Sequence, residues 1–145
     1  MLSLRACVPP NNPQARAAAT VPNFLQFTSA LFLLPAALCV VKGRLVGVAV
    51  YSANAVCSVY VHRPDRSEVD NEADVADKVC VAAWVIYNAA VWYKSSREIA
   101  PVVCAVIVLI TKVATRYLEY RSLRRYAVHC CMHMFGVVGS LLLFV

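Results

Sequence analysis

The sequence predicts an all-α integral membrane protein, a bundle of about five transmembrane helices. Three observations carry this. The chain of 145 residues is 61% hydrophobic and only 15% charged, whereas soluble domains run nearer half apolar and a quarter charged. Its charges are unevenly placed: six of the eight acidic residues (Asp65, Glu68, Asp70, Glu72, Asp74 and Asp77) crowd into thirteen positions, leaving long uncharged runs elsewhere. The net charge of +6 comes from basic residues set between apolar runs. Loops at a membrane surface have that pattern, whereas a nucleic-acid binder lines its cations along one face. The lipid bilayer is therefore an expected partner and nucleic acid is not. With four glycines, and neither a Walker pattern nor GxGxxG, a phosphate-cradling nucleotide site is excluded as well.

The elements follow in order. Residues 1–22 hold Arg5, Arg16, four prolines and no acid. A stretch with neither a core nor a helical period reads as a disordered amino-terminal tail, leaving 23–145 as the transmembrane helical domain. The first apolar segment runs from Phe24 to Val41 and is interrupted by Pro35, which neighbouring helices accommodate. The second runs from Leu45 to Val61, after the tight Lys42-Gly43-Arg44 link. The third runs from about Asp74 to Tyr93 and is weighted by Trp84, Trp92 and Tyr93. The fourth spans Ile99 to about Ala114, and the fifth Tyr126 to Val145. A spanning helix wants about twenty residues, so the second and fourth are short. The fourth reaches full length only if Lys112 snorkels to the surface. Gly43 and Gly47 have the spacing of a helix-packing motif, but Gly43 falls in a link and carries little weight there.

Topology follows from counting crossings. If all five segments span, the tail, the 62–78 loop and the 112–125 loop share one side. That side carries Arg5, Arg16, Arg63, Arg66, Lys78, Lys112, Arg116, Arg121, Arg124 and Arg125, against Lys42, Arg44, Lys94 and Arg97 on the other. Ten against four orients the first side to the cytoplasm. The seven cysteines are an odd number and no CxxC occurs. Cys39, Cys57, Cys80, Cys104, Cys130 and Cys131 all lie in apolar runs, so they read as small buried residues and not as a secreted disulfide framework.

The three histidines are His62, His129 and His133. His62 ends the second segment, and the other two lie in the first turns of the fifth, so all three approach the same, cytoplasmic, membrane face. His129 and His133 are four apart and project from one side of a helix, where they can grip one ion. Ser58 stacks one turn beneath His62, and Asp77 opens the third segment at the same depth. Each alone has a plainer reading: an interfacial histidine, a hydroxyl bonded to the preceding turn, an acid at a helix start. Together they converge from three helices. Three neutral imidazoles plus water make the open tetrahedral site of a catalytic zinc, which lowers the pKa of its water to about 7. Asp77 can orient an imidazole or accept the proton of that water, and Ser58 can hydrogen-bond the attacking water or a developing oxyanion. Asp74 competes with Asp77 for the acidic role. Cys130 and Cys131 point away from the face shared by His129 and His133 and are not expected ligands.

These residues resemble the superfamily of intramembrane zinc hydrolases, which includes alkaline ceramidases, progestin and adiponectin receptors, and membrane proteins that remodel GPI lipids. The superfamily pattern is Ser-x-x-x-His at the end of the second helix, Asp at the start of the third, and His-x-x-x-His in the last. Here it reads Ser58-Val-Tyr-Val-His62, then Asp77 in Ala-Asp-Lys-Val-Cys, then His129-Cys-Cys-Met-His133. The likeness covers roughly residues 45–93 and 120–145. It implies zinc-dependent hydrolysis of an amide or ester bond in a membrane lipid, ceramide-like substrates being one case. His62, His129 and His133 would be the metal ligands, and Ser58 and Asp77 the catalytic side chains. Members typically have seven membrane helices. Five would make this a shortened form, with the same parity and ligands but fewer walls around the lipid. The alternative is a non-catalytic receptor-like or scaffolding protein with a structural or vestigial metal site. A haem carrier fits less well, because histidines four apart on one helix cannot bracket a haem from both faces.

Overall fold

The computed structural model describes residues 24–62, 71–94, 98–118 and 123–144. Five helices make up nearly all of it, and no strand occurs among the described residues: α1 Phe24–Val41, then α2 Leu45–Val61, α3 Asn71–Lys94, α4 Ile99–Tyr117 and α5 Leu123–Leu142. The all-α expectation therefore holds. The expected tail at 1–22, the acidic positions Asp65, Glu68 and Asp70, and the Asp74 side chain lie outside the described residues.

Helix α1 is broken by a turn at residues 31–32 and resumes over Leu33–Val41. Pro35 is the cause: it has no N–H to give to the carbonyl four residues back, and its ring crowds that carbonyl. The Leu31 carbonyl accepts from Leu34 N–H instead, at 3.0 Å, which tightens the turn locally. The helix ends on Gly43, whose φ of +65° is the left-handed conformation that favours glycine. Gly43 N–H donates to Val40 O at 3.0 Å and Arg44 N–H to Cys39 O at 2.8 Å, the paired bonds of a Schellman cap. That cap reverses the chain into α2. At the other link, Trp92 Nε1 donates to Glu98 O at 2.8 Å and ties the end of α3 to the start of α4. Pro101 sits in the first turn of α4, where a missing N–H costs nothing.

Helices α1, α2, α3 and α5 enclose the core, with α1 packed on α2 and α5, and α2 on α3. Phe32 and Trp84 meet edge to face at 6.0 Å, and Tyr51 meets Tyr87 at 5.7 Å and Phe144 at 6.3 Å. A buried polar chain joins α2, α3 and α5. The Tyr51 hydroxyl donates to Asn88 Oδ1, and Trp84 Nε1 donates to Ser140 Oγ at 3.0 Å. Ser140 in turn donates to Gly136 O at 2.7 Å. Helix α4 runs antiparallel along α5, and Gly139 permits the approach: a Cβ there would lie 2.8 Å from the Cys104 Cβ.

Among the described residues two helices are long and apolar enough to cross a membrane, Phe24–Val41 and Val75–Lys94. Leu45–Val61 and Ile99–Thr115 are apolar but shorter, and α5 opens on Arg124, Arg125 and His129. Two helices meet the length and composition of a span, where five crossings were expected.

Candidate metal centre

The ends of three helices meet at one end of the bundle: the start of α1, the end of α2 and the first turns of α5. His62 caps α2, its N–H donating to Ser58 O at 3.1 Å. From α5, His129 and His133 present their rings on the same face, one turn apart. The ring centroids lie 4.7 Å apart for His62 and His129, 4.8 Å for His129 and His133, and 5.4 Å for His62 and His133. One ring nitrogen from each lies within 4.8 Å of the others. Zinc–nitrogen bonds of about 2.0–2.1 Å place tetrahedral ligands roughly 3.3 Å apart, so modest rotamer adjustment closes the set. Three protein ligands leave a fourth position open. The donor chemistry thus fits a borderline cation such as zinc.

Support for the centre comes from α1. His133 is buried, and its Nδ1 lies 3.1 Å from Thr28 Oγ1 and 3.3 Å from Ser29 Oγ. Each of those hydroxyls donates to Leu25 O at 2.9 Å. A hydroxyl has a single proton; with it on Leu25 O, each oxygen offers a lone pair to Nδ1–H of His133. This arrangement suits the tautomer in which Nε2 keeps the lone pair a metal needs. The ring is further held edge-on to Phe32, 6.1 Å between centroids.

Ser58 is buried, and its Oγ lies 3.0 Å from Ser29 Oγ. It therefore joins the same chain, two hydrogen bonds behind the His133 ring. Asp77 is half-buried in the early turns of α3 and stands outside the three-histidine set. Lys112 at the end of α4 acts electrostatically on both His129 and His133, and Arg125 on His129, so the rim of the site carries positive charge. One turn below Ser58 on the same face of α2, Asn54 Oδ1 is buried with no hydrogen-bond partner among the described residues.

Sequence reasoning named the three histidines and Ser58 and missed Thr28 and Ser29. A signal existed: they are the only hydroxyl side chains in the Phe24–Val41 run, and polar groups at membrane depth usually mark a function. The cysteines also differ from expectation. Cys39, Cys104 and Cys130 are buried, but Cys57 and Cys80 are half-buried and Cys131 is exposed.

No protein-family model, curated protein or solved structure matches the chain.

Proposed function

We propose that the chain is a multi-pass membrane hydrolase that uses zinc to cleave an amide or ester bond of a membrane lipid. The observation that carries the reading is the three-imidazole cluster with the His133 tautomer held by two buried hydroxyls. His62, His129 and His133 would hold the metal. Bound there, zinc would supply Lewis acidity and a water acidic enough to ionise near neutral pH. Asp77 would serve as the acceptor for the proton of a water activated there. Ser58, whose hydroxyl meets Ser29 Oγ at 3.0 Å, would donate to the oxyanion of the cleaved carbonyl. Thr28 and Ser29 keep the His133 ring aligned throughout.

Two features support a membrane setting and a lipid substrate. Large apolar side chains are exposed on every helix, among them Phe27, Val46, Ile86, Leu109 and Val138, and only 11% of the Val75–Lys94 span is buried. A core helix of a soluble protein would be mostly covered; lipid covers these faces at no cost. An apolar groove of about 300 Å³ between α1 and α2 is lined by Ala30, Leu33, Ala55, Val56, Val59 and Tyr60. Ala30 and Val59 directly follow Ser29 and Ser58 in sequence, so the groove runs along the same turns of α1 and α2 that carry the two hydroxyls.

The test is release of fatty acid from ceramide and from ester lipids in vesicles by the purified protein. Turnover is expected to vanish with chelator and to return with zinc. Ser58→Ala and Asp77→Ala should each lower it at least about tenfold while retaining the metal. If both variants hydrolyse lipid like the parent, the roles given to these residues are wrong. The bond between Ser58 and Ser29 favours a second reading, a receptor-like or scaffolding protein with a structural metal site. In that case chelation lowers thermal stability and no lipid is turned over.

A further inference from the structure

Cys57 on α2 and Cys80 on α3 face each other with their sulfurs 3.3 Å apart. A disulfide needs about 2.03–2.05 Å between sulfurs, so the two sulfurs must close by only about 1.2 Å to bond. Both residues are half-buried, which leaves a path for a small oxidant. Cys39 and Cys104, by contrast, are buried against Tyr87 and Gly139 respectively. Neighbouring Cys130 and Cys131 lie on one helix, one buried and one exposed, so their side chains diverge.

We propose that Cys57 and Cys80 form a reversible disulfide that staples α2 to α3 beside the histidine cluster. Cys57 immediately precedes Ser58 and is five residues before His62, and Cys80 is three residues after Asp77. The bond would therefore fix the spacing of the two helices that carry Ser58, His62 and Asp77. It requires an oxidant, and hydrogen peroxide suffices. One cysteine sulfur attacks a peroxide oxygen, the O–O bond breaks, and a sulfenic acid and water form. The second sulfur then attacks the sulfenic sulfur, the S–O bond breaks, the S–S bond forms and a second water leaves. Two thiols have then lost two electrons to one hydrogen peroxide, and both thiol protons end in water.

The pairing does not depend on a metal being bound, and its test is separate from that of the hydrolase reading. The full chain is purified reduced in detergent, exposed to hydrogen peroxide, alkylated, digested and analysed by mass spectrometry. The expected product is a peptide pair linked through Cys57 and Cys80, with two of the seven thiols lost and both recovered on dithiothreitol treatment. Cys57→Ser and Cys80→Ser should each abolish that linkage. Cys57 and Cys80 that stay free, convert to sulfinic acid, or link to other cysteines in the parent chain would overturn the proposal.

Discussion

Replacing Thr28 by valine and Ser29 by alanine tests how the candidate centre is held together. Both side chains are fully buried, at 1% and 0% exposure, and both changes nearly conserve shape, so packing around them survives. What is lost is the pair of oxygens 3.1 Å and 3.3 Å from His133 Nδ1. Without them Nδ1–H has no acceptor from α1, and the ring is free to rotate or to place its proton on Nε2, the nitrogen required by the metal. Losing such outer partners costs about 10–100-fold in metal affinity, or about 1.4–2.8 kcal/mol at 1.4 kcal/mol per tenfold. Thr28→Val alone should cost less, because Ser29 still accepts. The assay is zinc competition against a chromogenic chelator in detergent, with helicity by circular dichroism as the control for folding. A folded double variant whose zinc affinity lies within about twofold of the parent would refute the assigned tautomer and the supporting role of α1.

Other perturbations separate the forces in the bundle. A Cβ at Gly47 would run into the Tyr87 hydroxyl and the Cys39 sulfur. Gly47→Ala should therefore lower stability by about 1–3 kcal/mol by overpacking, with partial rescue by Tyr87→Phe, both read by thermal unfolding in detergent. At Gly43 nothing lies within 4 Å of an added Cβ, so Gly43→Ala should cost only the left-handed backbone conformation, about 1–2 kcal/mol. Asn54→Leu removes the unpartnered buried acceptor and should raise stability by about 1–3 kcal/mol. An unfolding temperature that falls instead would mean the amide is satisfied by a bound group. Zinc at one hundred times its Kd contributes about 2.7 kcal/mol, so chelation should lower the unfolding temperature by roughly 5–10 °C.

Much of the helical frame was legible because apolar runs and their interruptions are local. Phe24–Val41 and Leu45–Val61 were read with the boundaries observed, since Lys42, Gly43 and Arg44 mark the link plainly. The other three helices differ at their polar ends. Helix α3 begins at Asn71 and α5 at Leu123, earlier than their apolar runs, and α4 continues to Tyr117. Polar residues propagate a helix without adding to an apolar pattern; Thr115, for one, returns its hydroxyl to Lys112 O at 2.7 Å within α4. The histidine cluster was legible for a related reason: His129 and His133 share a face by spacing alone, and His62 reaches them because helix ends on one side of a bundle converge. The Thr28–Ser29 support and the Cys57–Cys80 pair were not, because both depend on which helices pack side by side. The small Gly47 lets α2 approach Tyr87 of α3, and Gly136 lets α5 approach Phe32 of α1; such close approaches act through packing and leave no periodic trace in the sequence.

The central claim, that His62, His129 and His133 form one zinc site, is tested most directly by metal analysis of the detergent-purified protein beside a His129→Ala, His133→Ala double variant. About one zinc per parent chain and almost none in the folded variant is the predicted result. A metal-replete preparation of the parent without zinc, or a variant that binds as much as the parent, would contradict it.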